Sequence, residues 1–353
     1  MHAEPLELTL ELQPRARFDA IDVRDRVARL HGGSLDPYPR AVYCSFHTTA
    51  GYLDQALAAR LKRQGLRGYI EAFRALFPEG AGYRHDALDE RTELSKEQRQ
   101  TEPRNADSHL AFMAAGLRTC VSYVNRLEPV SFIDLDGVCE GRARTRQTSI
   151  VGYHGELVAD RVRISVPVSG HPIDAVNLKN PRLGLYDQFG ELIARHGVTK
   201  GRLRIELAHG ERQAGLTVNE YETLLMRNDL VEVLRNPIRF MLEKSRHALK
   251  DPRLIPGKTL SYAKYDLVRA LNQFVEALGL SESRVERMIA RAMAVPAERF
   301  LRMKRSVSLL ISDRTTPGYG GIVEGTYQSP ILVQWHQAHG RTRHLDVTLD
   351  RFI

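Results

Sequence analysis

Apolar and polar residues alternate through ELTLEL at 7–12, the period-two pattern of a strand with one buried face. Residues 22–30 then show helical spacing, closed by Gly32 and Gly33. After the turn-rich SLDPYPR, the run AVYCSF at 41–46 predicts a strand ending at His47. QALAARLKRQGLRGYIEAFRALF at 55–77 predicts a helical stretch that Gly65 kinks and Pro78 stops. Residues 79–104 are polar and irregular, so Tyr83, His85 and Asp86 fall on a loop. Asn105 reads as an N-cap for ADSHLAFMAAGL, with Asp107 and His109 in the first turn. SIVGY and DRVRISVPVS, joined by HGELVA, predict a hairpin with Pro167 at an edge.

The second half echoes this order. GLYDQFGELIARHG predicts a helix ending at Gly197, and GRLRIELAHG a strand ending at His209, as AVYCSFH ends at His47. An Ala-Gly pair follows each histidine, Ala50-Gly51 and Ala214-Gly215. TRQTSIVGY at 145–153 and TYQSPILVQW at 326–335 share Thr-x-Gln-[Thr/Ser]-x-Ile, and each is expected to open a closing hairpin. These echoes predict an α+β chain of two tandem β-rich, sandwich-like units packed with helices. Their expected ranges are 1–169 and 170–353, meeting near Ser169-Gly170, with a helix-rich insertion at about 222–300 in the second.

Composition fits a folded chain: 353 residues, 42% hydrophobic and 27% charged, with no low-complexity tract. No apolar run approaches the roughly 20 residues that span a bilayer, and the N-terminus lacks a signal-peptide pattern, so a cytoplasmic protein without a membrane partner is expected. Cys44, Cys120 and Cys139 are odd in number and widely spaced, which argues against a disulfide framework or a cysteine zinc site. The net charge of +8 is spread along the chain. That permits an anionic partner, a phosphate-bearing metabolite or a nucleic acid, or is a mildly basic surface with no specific partner, and nucleic acid, resting on net charge alone, is the least expected.

The candidate chemistry is histidine-centred. HTTAG at 47–51 places His47, Thr48 and Thr49 at a strand end beside a glycine, although a plain turn uses the same residues. In YRHD at 83–86, Asp86 can orient His85, or the two can be a solvated surface pair. NADSH at 105–109 puts Asn105 and His109 on nearly one helical face. Three convergent imidazoles can hold a divalent metal, Mg or Zn, or divide base, acid and phosphate-binding roles. Arg142, Arg144 and Arg146 alternate around Thr145 and Gln147, as a cationic wall for phosphate or as a basic edge strand.

These motifs, HTTAG, YRHD, NADSH and RTRQ at 144–147, resemble the YjbQ family, also called UPF0047, whose pattern is HTTA, Y-x-H-D, N-x-x-x-H and G-T-W-Q. AGLTVNE at 214–220 and EGTYQ at 324–328 resemble its A-L-T-I-N-E and G-T-W-Q stretches. The resemblance implies a compact α+β fold, a homo-oligomer and one working site, completed either between the halves or between subunits. It also implies action on a phosphorylated small molecule, of the thiamine-phosphate synthase type. A metal-dependent hydrolase and a non-catalytic metabolite- or metal-binding assembly protein are the alternatives. The implied site is His47, His85 and His109 as catalytic or metal-binding residues, with Thr48, Thr49, Asn105, Arg144, Thr145, Arg146 and Gln147 on phosphate and Asp86 behind them.

Overall fold

A computed structural model describes residues 4–126, 128–139, 141–237, 239–241, 243–244, 301 and 303–353. The expected helical stretch beyond 244 lies outside the described residues up to 300. The fold is α+β, with antiparallel sheets. Among the described residues no helix is long and apolar enough to cross a membrane.

The first set of strands is β1 (Leu6–Leu12), β2 (Asp19–Asp22), β3 (Arg40–Ser45), β4 (Ala50–Gly51), β5 (Cys120–Val124), β6 (Ser131–Asp134), a small ribbon of β7 (Val138–Cys139) and β8 (Arg142–Ala143), and β9 (Arg146–Tyr153). The second is β10 (Glu156–Pro167), β11 (Asp174–Asn177), β12 (Gly201–Leu207), β13 (Ala214–Asn219), β14 (Ser306–Ser312), β15 (Gly321–Val323), β16 (Ser329–Gln334) and β17 (Thr342–Phe352). The sheets are ordered alike. One runs β1-β9-β3-β5 and the other β10-β17-β12-β14-β15, each accompanied by a three-stranded sheet, β2-β6-β4 and β11-β16-β13. Helix α1 (Val23–His31) precedes β3, and α6 (Leu185–His196) precedes β12.

Local chemistry explains these helix limits. Asp22 caps α1 by accepting from the N–H groups of Arg24 and Asp25 at 3.0 and 3.2 Å, a device that contributes about 1 kcal/mol. The turn after α6 puts Gly197 at φ 55°, a left-handed conformation that glycine takes without Cβ strain. Gly65, at φ 96°, divides the long stretch into α2 (Gln55–Gln64) and α3 (Leu66–Leu76) rather than kinking one helix. The short α4 (Lys96–Thr101) and the buried α5 (Ala106–Ala114) follow, and α7 (Leu230–Arg235) lies after β13.

Two sequence pairings are corrected. β9 does not pair with β10: it lies between β1 and β3, whereas β10 pairs with β17 alone. The two apolar runs belong to different sheets, so no hairpin forms and β10 is an edge on which Pro167 needs no ladder donor. The Thr-x-Gln echo also fails as a structural match, since β9 is in a four-stranded sheet and β16 in a three-stranded one. The Ala-Gly echo does share a place: Ala50 faces Asp134 on β6, and Ala214 faces Gln334 on β16.

Two compact units result, and they do not follow the sequence halves. The first comprises Met1–Gln55, Leu117–Tyr221 and Lys304–Ile353, and holds all the strands of the described residues. Within it Val42, Cys44, Phe46, Cys120, Val151 and Tyr153 pack against Leu310, Val323 and Phe352, joining the two large sheets through one core. Tyr153 stacks on Phe352 at 4.3 Å. The second unit comprises Ala56–Gly116 and Glu222–Met303. Each of its segments leaves the strand unit after the Ala-Gly strand, β4 or β13, and returns before β5 or β14.

Candidate functional site

His85 and His109 meet inside the helical unit. Their ring centroids are 5.3 Å apart, and the two residues are 0% and 1% exposed. Of the two readings of His85 and Asp86, the solvated surface pair is thereby set aside, and His109 lies on a helix whose residues are all buried. Asp86 connects the pair: its Oδ1 lies 3.0 Å from His85 Nδ1 and accepts the Ala106 N–H at 3.1 Å, at the first residue of the helix that carries His109. The Asn105 side chain makes no capping bond, contrary to expectation, and the Asp86 carboxylate serves that N–H in its stead. A carboxylate on Nδ1 leaves Nε2 as the imidazole's outward nitrogen. The second oxygen, Asp86 Oδ2, is buried without a hydrogen-bond partner among the described residues.

The loop bearing His85 is held from the second segment of the same unit. Asp229, 0% exposed, accepts the N–H groups of Arg84 and His85 at 3.0 and 2.9 Å. Burial pushes its carboxyl up to about 6, against the lowering effect of those two bonds. Lys244 donates to the Gly82 carbonyl at 2.8 Å and lies 4.6 Å above the Tyr83 ring. Arg91 Nη1 stands 3.5 Å from His85 Nε2, but its charge is offset by Glu102 at 2.8 Å and Glu93 at 2.7 Å.

His47 belongs to the strand unit. Its Nε2 accepts the Gln147 N–H at 2.7 Å, which requires that nitrogen to be unprotonated. Burial, reinforced by the Arg146 and Arg144 charges, lowers its pKa to about 3. The strand end before it is gripped by EGTYQ: Gln328 Nε2 donates to the carbonyls of Ser45 and His47, both at 2.9 Å, and the Gly325 backbone lies against the Phe46 carbonyl.

Arg142, Arg144 and Arg146 form no common cationic wall. Arg146 is 4% exposed and makes two bonds to the buried Asp134, at 2.6 and 2.9 Å, with a third to the Asp136 carbonyl. Arg144 pairs with Asp136 at 3.1 Å, and Arg142 sits exposed in the ribbon. Thr49 is buried with its hydroxyl 3.5 Å from Arg146, Thr48 is half-buried, and Thr145 and Gln147 are exposed. Arg343 repeats the Arg146 arrangement on Gln334 at 3.3 Å and on the His336 carbonyl.

The described residues thus bring together two of the three expected imidazoles, His85 and His109. Asp229, Asp134 and Asp136 escaped the sequence reading. A carboxylate amid Leu225, Met226 and Leu230 was the available signal for Asp229.

No family model matches the chain, and no curated protein matches it. Solved structures do. A YbjQ-like protein of unknown function from Sulfolobus solfataricus is similar over 56% of this chain and 99% of its own, at 18% identity and a TM-score of 0.30. A hypothetical protein from Aeropyrum pernix is similar over 54% and 97%, at 16% identity and a TM-score of 0.29. An uncharacterized conserved protein of the YjbQ/UPF0047 family from Clostridium acetobutylicum is similar over 53% and 98%, at 14% identity and a TM-score of 0.27. YbjQ-like and YjbQ/UPF0047 proteins are thus among the solved structures this chain is similar to, over about half of its length.

Proposed function

We propose that His85 and His109 hold a divalent metal and that the chain acts there on a phosphorylated small molecule, in the manner of a thiamine-phosphate synthase. The observation that supports this reading is two buried imidazoles 5.3 Å apart, with one carboxylate, Asp86, bonded to the His85 ring and to the first N–H of the helix that carries His109. Imidazole donors suit zinc-like ions, whereas magnesium prefers an oxygen shell, so the donor set favours Zn over Mg. The buried Asp86 Oδ2, without a hydrogen-bond partner among the described residues, fits a site that receives a proton-bearing or cationic group. A bound metal would supply Lewis-acid charge to the phosphate oxygens of the leaving group. Of the chain's own residues, Asp86 fixes the His85 ring and the buried α5 holds His109.

The test is pyrophosphate release from a pyrimidine pyrophosphate and a thiazole phosphate, measured with His85→Ala and His109→Ala beside the parent. Loss of turnover in both variants, with both still folded, supports the reading. Equal turnover contradicts it. A non-catalytic metabolite- or metal-binding role is the second reading, favoured by the Arg144 and Arg146 charges being taken up by Asp136 and Asp134. It predicts a melting shift with phosphorylated metabolites and no product.

A further inference from the structure

We infer that Asp229 is the positioning residue of the histidine pair: its carboxylate grips two successive N–H groups, those of Arg84 and His85, and so fixes where the His85 imidazole stands. The inference rests on the reading of His85 and His109 as a metal-binding pair. Three observations carry it, all within the helical unit. Both oxygens of Asp229 are engaged, one on each N–H, at 3.0 and 2.9 Å. A side chain that accepts two consecutive N–H groups restrains the position and the tilt of the peptide between them. The residue is wholly buried, so water does not replace those bonds when the carboxylate is removed. Lys244 completes the grip by holding the Gly82 carbonyl and covering Tyr83, which leaves residues 82–85 bound on both sides.

Asp229 and Lys244 stand about 145 and 160 residues further along the chain than the loop they hold. They follow VNE, in a segment that has no recognisable YRHD or NADSH of its own. Its contribution to the site is then to aim the histidine supplied by the first segment. His85 is fixed at two points, its backbone by Asp229 and its ring by Asp86. Such outer partners of metal-binding histidines typically govern metal affinity by 10- to 100-fold.

The test uses Co(II) as probe on the full chain, comparing the parent with Asp229→Asn, which keeps one acceptor oxygen and turns an NH2 group toward an N–H donor. Tyr69→Phe, which removes the Tyr69 bond to the Ala115 carbonyl in the same unit, is the stability control. The expected result is Co(II) affinity at least tenfold weaker in Asp229→Asn with an altered visible absorption band, and parental affinity in Tyr69→Phe. Amide exchange at His85 is read in parallel and is expected to accelerate in Asp229→Asn alone. Equal affinity in parent and Asp229→Asn, or equal loss in both variants, overturns the positioning role. If the parent itself takes up no Co(II), the metal reading fails, and the exchange rate at His85 decides whether Asp229 positions the loop: unchanged protection in Asp229→Asn overturns that as well.

Discussion

At His47 one imidazole nitrogen sets a pH dependence. The folded pKa is about 3, and an unfolded histidine titrates near 6.5. The folded chain therefore refuses a proton that the unfolded chain accepts, and stability present above about pH 6.5 is lost as pH falls toward 3. The slope is at most about 1.4 kcal/mol per pH unit. His47→Gln should flatten that part of the acid limb, which urea midpoints between pH 7 and pH 5 will show. Identical slopes in parent and variant would refute the assignment. Asp134 and Arg146 give a second residue-scale expectation. Breaking this buried pair with Arg146→Met should cost about 3–5 kcal/mol, because it strands a charge. Replacing both, by Asp134→Leu with Arg146→Met, should cost less than the single change, whereas a larger cost would argue against a desolvated pair.

At the scale of elements, the strand end at His47 depends on EGTYQ. Gln328→Ala removes two bonds to buried or half-buried carbonyls and should cost about 1–3 kcal/mol. Gly325→Ala should cost more, since its Cβ would run into the Phe46 carbonyl oxygen. Thermal melts of the two variants check the order, and a neutral Gly325→Ala would contradict the close approach. Most elements were legible in the sequence because their signals are local. Alternation gave β1, helical spacing closed by Gly32 gave α1, and Gly197 ended α6. Strand pairing was less legible, because it is decided by partners far along the chain: SIVGY and DRVRISVPVS look like a hairpin, yet β9 and β10 enter different sheets. The site divided in the same way. His85, Asp86 and His109 were readable from motifs, whereas their burial and the bonds from Asp229 arise from packing between distant segments.

At the scale of the molecule, one core joins strands from both halves. Val42, Cys44 and Phe46 pack with Leu310, Val323 and Phe352, so residues 1–155 alone leave that apolar face uncovered. This fragment should bind a hydrophobic dye and melt without a cooperative transition, while the full chain melts cooperatively. A cooperative transition in the fragment would show that the first strand set folds without the second. The two segments of the second unit are inserted at like points of two like strand sets, between β4 and β5 and between β13 and β14. That arrangement places YRHD, NADSH and Asp229 in the same unit although they come from different halves of the sequence.

The most direct test of His85 and His109 as a metal-binding pair is an anomalous-difference map at the zinc absorption edge, from crystals grown with Zn(II). The account predicts a peak within bonding distance of a ring nitrogen of each residue, lost in His109→Ala. A map with its zinc peak at other residues, or none at this pair, would contradict it.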